Sequence, residues 1–114
     1  MNKFASVSLI SAGIFSLGTS AMGWTALDDK GIRSKLSGKS VVYEEGGRSE
    51  FRKNGTTIFR ADKKHVGKWG VNKNRMCTKY PETKWICFSV EAKGTRDIRF
   101  IAVSNGRISK GKIK

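Results

Sequence analysis

The chain is 114 residues long and 38% hydrophobic, and its 23 lysines and arginines against nine aspartates and glutamates give a net charge of +14. This length excludes more than one domain of ordinary size. The charge is large for so short a chain and predicts good solubility and attraction to polyanions.

The N-terminus has the three parts of a secretory signal. Lys3 supplies a positive charge, residues 4–17 form an apolar stretch, and small residues follow, with 19–21 or 21–23 as the cleavage site. The stretch is shorter than the roughly 20 residues that a membrane span needs, although an uncleaved anchor or a buried helix is an alternative. We expect a signal peptide over residues 1–23, with cleavage after residue 21 as one option. A single β-barrel-like domain over 24–114 would then lie in the periplasm or outside the cell, with no transmembrane segment.

A short amphipathic helix is predicted next. Thr25 and Asp28 have the spacing of a capping box, in which each side chain bonds the backbone N–H of the other. Leu27, Ile32 and Leu36 form an apolar stripe at helical spacing. We expect this helix to cover part of a sheet, and binding of a partner is the alternative.

Short strand patterns separated by turns follow the helix. The Asn54-Gly55 pair is the strongest short hairpin signal, and we expect Phe51 and Ile58 to pair across it. The other segments are strands over 40–44, 48–53, 56–60 and 98–103, polar loops over 61–65 and 91–97, and a last strand or tail over 107–113.

The segment 67–90 reads as three strands joined by two tight turns, and it carries the two cysteines of the chain, Cys77 and Cys87. If the second turn is symmetric, the cross-strand pairs are Cys77 with Cys87, Met76 with Phe88, and Thr78 with Ile86. Directly opposed residues on antiparallel strands lie about 4.5–5.5 Å apart, which suits a disulfide. Two unpaired buried thiols are the alternative. Because disulfides persist in exported proteins, we expect a Cys77–Cys87 disulfide.

These elements predict a mainly β fold. About seven or eight short strands, spaced roughly 8–12 residues apart after one N-terminal amphipathic helix, are typical of a small antiparallel up-and-down barrel or sandwich. Closure of the sheet would remove bare edges. Several strands are apolar on both faces, so the sequence leaves open which face points inward.

Five short motifs are spread over most of residues 24–114: Ile32-Arg-Ser-Lys-Leu-Ser-Gly38, Phe51…Asn54-Gly55-Thr56, Gly67-Lys-Trp69, Arg75-Met-Cys77 and Cys87-Phe88. In these motifs the chain resembles a family of small exported bacterial proteins of unknown function. The resemblance implies a helix, a β-meander with a Gly-x-Trp strand before two cysteines, and export. It implies no activity or active site, and this chain departs from the family in being unusually basic.

Side chains for catalysis are sparse. His65, the single histidine, lies in a predicted charged loop, and one histidine beside oxidised cysteines can neither complete a metal site nor activate a thiol. Small basic ribonucleases use a histidine, a glutamate and an arginine, and His65, Glu50 and Arg52 or Arg99 have these residue types, as any basic chain would. We therefore expect no enzyme, no cofactor and no bound metal.

Basic residues alternate with aromatic ones along several strands. Proteins that bind single-stranded nucleic acid mix these residue types. Strands that point aromatic side chains inward and cations outward have the same pattern, and we favour this second interpretation. The basic residues expected at a binding surface are Lys68, Lys79, Lys84, Arg99, Arg107, Lys110 and Lys112.

Three functions are consistent with these features. The first is a non-enzymatic periplasmic or secreted binding protein whose cationic surface engages an anionic envelope polymer, a lipid head group or an acidic protein, with nucleic acid as a less favoured partner. The second is a lipocalin-like carrier of a small apolar ligand, for which about 90 residues leave little room. The third, which we favour least, is a small basic secreted hydrolase or toxin.

Overall fold

The computed structural model describes residues 23–114, so the expected signal peptide lies outside the described residues except for Gly23. This part of the chain forms one helix, α1 (Asp29–Leu36), and nine strands. The strands are β1 (Thr25–Ala26), β2 (Lys39–Tyr43), β3 (Arg48–Phe51), β4 (Thr56–Arg60), β5 (Lys64–Asn72), β6 (Arg75–Lys79), β7 (Ile86–Lys93), β8 (Asp97–Ala102) and β9 (Ile108–Ile113).

Strands β2 to β9 form a closed antiparallel barrel. Each strand pairs with the next one in the chain, and β9 returns to pair with β2. The short β1 pairs with the end of β7 beside the barrel wall. The predicted small up-and-down barrel of seven or eight strands with one N-terminal helix is confirmed, and of the two predicted forms the barrel is the one observed.

Helix α1 begins one turn later than the capping-box prediction placed it. Asp28 is the N-cap residue, and its carboxylate accepts a hydrogen bond of 2.8 Å from the backbone N–H of Gly31. Thr25 lies in β1 and pairs with Ala92 of β7. The prediction of Thr25 as the cap is wrong because pairing with β7 draws its backbone into the sheet.

Helix α1 closes one end of the barrel. Its fully buried Ile32 and Leu36 belong to the hydrophobic core. Asp29 and Asn74 exchange two hydrogen bonds, each from a backbone N–H to the side-chain oxygen of the other residue, at 3.0 and 2.6 Å. These bonds tie the start of the helix to the β5–β6 turn. The buried residues of the core are Ile32, Leu36, Val41, Phe51, Trp69, Met76, Val90, Ile98, Phe100 and Ile113.

The register of the β6–β7 hairpin agrees with the sequence, and its disulfide is formed. The observed pairs are Met76 with Phe88, Cys77 with Cys87, and Thr78 with Ile86. The sulfur atoms of Cys77 and Cys87 lie 2.02 Å apart. Because Met76 and Thr78 point into the barrel and are buried, alternation places the disulfide on the outer face. The predicted Cys77–Cys87 disulfide is confirmed.

The register of the β3–β4 hairpin differs from the prediction by one residue. Phe51 pairs with Thr57, and Ile58 pairs with Glu50, so the predicted Phe51–Ile58 pair is wrong. A shift of one residue moves a side chain to the opposite face of a sheet. Ile58 therefore lies on the outer face, where it is nevertheless only 3% exposed.

Two predicted loops are shorter than expected because the strands beside them are longer. Strand β5 begins at Lys64, so His65 lies in a strand and not in a loop. Strand β7 continues to Lys93, and β8 begins at Asp97. The C-terminal segment is a strand and not a tail, because β9 pairs with both β8 and β2.

Candidate functional site

The seven basic residues predicted to form a binding surface lie on two separate sides of the barrel. On one side, β5, β6 and the loop after β6 carry Lys68, Lys79 and Lys84. On the other side, β8, β9 and the turn between them carry Arg99, Arg107, Lys110 and Lys112. The fold therefore does not join these residues into one patch.

The β8–β9 side is largely neutralised by acids. Three of its four cations form ion pairs, which are Arg99 with Glu91, Arg107 with Glu45, and Lys112 with Asp97. The hydrogen bond from Lys112 is the main cause that lowers the pKa of Asp97 below its ordinary value. Arg99 also lies 4.5 Å from the ring centroid of Trp24, a cation–π contact. These cations are occupied by groups of the protein itself.

The outer face of β3 to β6 carries a denser group of cations. Arg48 on β3 lies directly opposite Arg60 on β4, and Arg60 lies directly opposite Lys64 on β5. Lys68 on β5 lies directly opposite Lys79 on β6. Like charges in directly opposed positions destabilise a sheet. We define the basic face as Arg48, Arg60, Lys64, Lys68 and Lys79 of these strands, together with Arg52, which directly follows β3.

Glu50 is the acid that lies within the basic face. Its carboxylate is 3.4 Å from Arg52 and 3.4 Å from Arg60. Desolvation acts to raise the pKa of Glu50, but the hydrogen bonds and charges of the two arginines outweigh it and lower the pKa below its ordinary value. Glu50 therefore stays ionised at neutral pH and offsets one of the six positive charges, so the face keeps a charge of +5.

Among the three lysines of the basic face, Lys79 differs because its ammonium group is used within the fold. Its Nζ donates a hydrogen bond of 2.9 Å to the carbonyl oxygen of Thr83. Gly67 lies beside it, and a Cβ on this glycine would stand 2.4 Å from the carbonyl oxygen of Lys79. A shallow groove with a volume of about 370 Å³ runs here between β5 and β6, with Val66, Lys68 and Lys79 along it. Of the opposed pair Lys68 and Lys79, Lys68 is thus the residue whose ammonium group is available to bind an anion.

Arg48, Arg60 and Lys64 are absent from the binding surface predicted from the sequence, although the sequence contained a signal for them. A Phe51–Ile58 pair would place Arg48 opposite Ala61, whereas the observed register places it opposite Arg60. The predicted loop over 61–65 also hid Lys64, which begins β5. A correct register for the Asn54-Gly55 hairpin would have revealed the first of these opposed pairs.

The barrel interior contains a cavity of about 290 Å³ that opens at the end opposite α1. Its walls are inward-pointing side chains of the barrel strands, and Glu45 and Gly46 of the β2–β3 turn lie at its mouth. The residues of the wall are Tyr43, Ser49, Phe51, Phe59, Met76, Thr78, Tyr80, Ile86, Phe88, Phe100 and Ser109. The sequence did not point to this site, because it left open which faces of the strands are inward.

Two tyrosines contribute to the cavity wall, and burial raises the pKa of both. The hydroxyl of Tyr43 donates a hydrogen bond of 2.9 Å to Oγ of Ser49. Burial is the main cause that raises the pKa of Tyr43 to about 12. Burial also raises the pKa of Tyr80. Both phenols are therefore neutral at physiological pH.

Of the residues considered for a hydrolase, Glu50 and Arg52 form an ion pair, but His65 does not join them. The ring of His65 stacks on Phe59, with the centroids 6.3 Å apart, and meets the edge of Tyr80 at 6.5 Å. Its cross-strand partner Phe59 points inward, whereas Glu50 is paired with the outward-pointing Ile58. His65 and Glu50 thus belong to opposite faces of the sheet.

Within residues 23–114, no three histidine, cysteine, aspartate or glutamate side chains are grouped so that they could hold a metal ion. The helix in this part of the chain is too short and too polar to cross a membrane.

The chain was compared with protein-family models, with curated proteins and with solved structures, and none of them matches it. The resemblance to a family of small exported proteins therefore stays a prediction.

Proposed function

We propose that this protein is a non-enzymatic binding protein of the periplasm or the extracellular space, and that its basic face engages an anionic component of the cell envelope. The observation that carries the proposal is the direct opposition of like charges on neighbouring strands, with Arg48, Arg60 and Lys64 in one row. In the free protein these cations repel one another and weaken strand pairing. An anion bound across the row would relieve that repulsion.

The spacing of the cations suits a polymer better than a single anion. Neighbouring strands lie about 4.8 Å apart, so the row Arg48–Arg60–Lys64 spans roughly 10 Å across three strands. Lys64 and Lys68 are four residues apart on β5, which corresponds to about 13 Å along a strand. Directly opposed cations, about 4.8 Å apart, lie within the Debye length of about 8 Å at physiological ionic strength, whereas the separations of roughly 10 and 13 Å exceed it. A polymer that places a phosphate or carboxylate beside each cation therefore suits the basic face better than one anion, which reaches only part of it.

The disulfide supports the proposed compartment. The Cys77–Cys87 bond lies on the outer face of the barrel, and disulfides persist in oxidising environments such as the periplasm and the extracellular space. Anionic polymers and anionic lipids are abundant in these compartments. The proposal therefore places the protein and its partner on the same side of the membrane.

The test is a titration with a fluorescently labelled polyphosphate chain, followed by anisotropy at two salt concentrations. Replacing three cations of the basic face, Arg48→Gln, Lys64→Gln and Lys68→Gln, is expected to weaken binding by at least about tenfold, because each removed contact also removes a released counterion. The wild-type protein is expected to lose on the order of 10- to 100-fold in affinity between 50 and 200 mM salt.

The matched control removes the same charge from the other end of the barrel. Lys30→Gln, Arg96→Gln and Lys114→Gln change three exposed cations near α1, and we expect them to weaken binding by less than about threefold because they lie off the basic face. Equal losses in the two triple variants would mean that net charge alone drives binding, and would refute the basic face as the site. Vesicles containing phosphatidylglycerol, titrated in parallel, distinguish a lipid surface from a polymer as the source of the anions.

A further inference from the structure

The cavity exists because small side chains occupy inward positions near the open end of the barrel. Ser49 lies opposite Phe59, Ser109 lies opposite Phe100, and Thr78 lies opposite Ile86. At the other end, Ile32 and Leu36 of α1 fill the interior. The helix thus packs one half of the barrel and leaves the other half hollow.

The wall of the cavity is mainly aromatic. The ring centroid of Phe100 lies 6.2 Å from that of Phe88, 6.2 Å from that of Phe51 and 6.1 Å from that of Tyr43. Such rings offer apolar surface, and removing apolar surface from water contributes about 25 cal/mol per Å². A flat apolar molecule would gain this burial on entering the cavity.

The polar groups of the wall are hydroxyls. Thr78 is only 8% exposed, and its hydroxyl makes no hydrogen bond to another group within the described part of the chain. The hydroxyl of Tyr43, in contrast, is bonded to Ser49. A buried polar group without a partner costs free energy, so Thr78 is positioned to bond a polar atom of a ligand.

The charge of the wall indicates an uncharged ligand. Glu45, at the mouth, is the acidic residue of the lining, and no lysine or arginine of the described chain belongs to the lining. The nearby Arg107 is paired with Glu45 at 3.5 Å, so an anion inside the cavity would meet no free cation of the wall, and a charged group buried without a partner is costly. The cavity therefore differs in its chemistry from the basic face.

The volume bounds the size of the ligand. A cavity of 290 Å³ is near the lower end of the roughly 300–1,000 Å³ that is typical of small-molecule sites. At about 30 Å³ for each water, it corresponds to roughly ten water-sized groups. A two-ring aromatic molecule or a short aliphatic one has this size.

We infer that the barrel interior is a second binding site, for a small uncharged apolar molecule with one hydrogen-bonding group that meets the hydroxyl of Thr78. A carrier of a small apolar ligand is the second of the three functions that are consistent with the sequence. It is independent of the basic face, because the two sites lie on opposite sides of the barrel wall.

The test uses 2-naphthol and naphthalene, which are both uncharged at pH 7, and follows the amide resonances of the full domain by NMR. Both compounds are expected to shift amides of Thr78, Phe88 and Ser109, with 2-naphthol binding about fivefold more tightly because it can bond Thr78. Thr78→Val is expected to remove that preference, because it deletes the hydroxyl and keeps the shape of the side chain. Amide shifts confined to the outer face of the barrel would overturn the inference.

A cavity-filling variant gives a second test. Ser109→Phe is expected to weaken 2-naphthol by at least about tenfold by occupying the cavity, whereas the control Ser34→Phe, on the exposed face of α1, should bind within about twofold of wild type. Equal binding by both variants would refute the site, and if Ser109→Phe does not fold, the amide shifts of the wild type decide. Affinity for 2-naphthol should not change between 50 and 500 mM salt, roughly the range over which screening alters charged contacts. Because polyanion binding is expected to depend on salt, the failure of one proposal can be distinguished from the failure of the other.

Discussion

At the scale of single residues, Tyr43 shows how burial changes chemistry inside the barrel. Its ring lies 6.1 Å from Phe100 and 6.2 Å from Phe59, and its hydroxyl is bonded to Ser49. Burial raises the pKa to about 12. The folded protein therefore holds the phenolic proton more tightly than the unfolded chain does.

This difference predicts a loss of stability in alkali. A group whose pKa is higher in the folded state contributes stability that is complete below the unfolded pKa of about 10 and is lost as pH rises toward the folded pKa. For Tyr43, whose pKa is about 12, the loss should reach roughly 2–3 kcal/mol by pH 12. Urea unfolding at several pH values, compared between wild type and Tyr43→Phe, measures it. If both proteins lose the same stability between pH 9 and 12, Tyr43 is not the cause.

At the scale of elements, the β6–β7 hairpin combines a tight loop with a covalent link. Three hydrogen bonds between Thr83 and Tyr80 close the loop. The Tyr80 N–H donates to the threonine hydroxyl and the Thr83 N–H donates to the Tyr80 carbonyl, both at 3.0 Å, and the threonine hydroxyl donates to that carbonyl at 3.3 Å. The disulfide joins Cys77 and Cys87, ten residues apart. Together they hold two strands that also form part of the cavity wall.

Removal of the disulfide is expected to destabilise the protein but to leave the fold intact. Cys77→Ser with Cys87→Ser should lower the free energy of unfolding by about 2–3 kcal/mol, because the unfolded chain regains the entropy of an open ten-residue loop. Urea unfolding measures the loss, and wild type treated with a reductant is the control and should show the same change. Intact mass of the native protein should be two hydrogens below that of the reduced form, and equal masses would contradict the bond.

At the scale of the whole molecule, closure of the barrel depends on the close approach of β9 to β2. Gly111 of β9 pairs with Tyr43 of β2. A Cβ on Gly111 would stand 2.6 Å from the carbonyl oxygen of Val42 and 2.8 Å from Cγ1 of Val41. Glycine is thus required where the last strand meets the first strand of the barrel.

Gly111→Ala is therefore expected to lower the free energy of unfolding by about 1–3 kcal/mol, since the added methyl group overpacks the seam. Gly70→Ala is the matched control, because a Cβ at Gly70 meets nothing within 4 Å. This control should be neutral or should stabilise the strand by about 0.5–1 kcal/mol. Thermal unfolding of both variants measures the difference, and equal stability would show that the seam tolerates a side chain.

Features that depend on residues close together in the sequence were predicted correctly, and features that depend on residues far apart in the sequence were not. The register of the cysteine strands was predictable because a short loop relates Cys77 to Cys87 directly. The β3–β4 register was not, because strand β5 helps to fix that turn. The indole of Trp69 donates a hydrogen bond of 2.8 Å to the carbonyl oxygen of Arg52, and the Trp69 N–H donates one of 2.9 Å to that of Gly55.

The approximate number of barrel strands, the presence of one helix, the disulfide and the excess of positive charge were all readable from the residues. Strand alternation and turn residues act within a few positions along the chain, so local patterns carry them. The seam between β2 and β9, the hollow half of the interior and the gathering of cations across β3 to β6 were not readable. Each of them depends on pairing between strands, such as Val41 with Ile113, and residues so far apart in sequence are brought together only when the barrel closes.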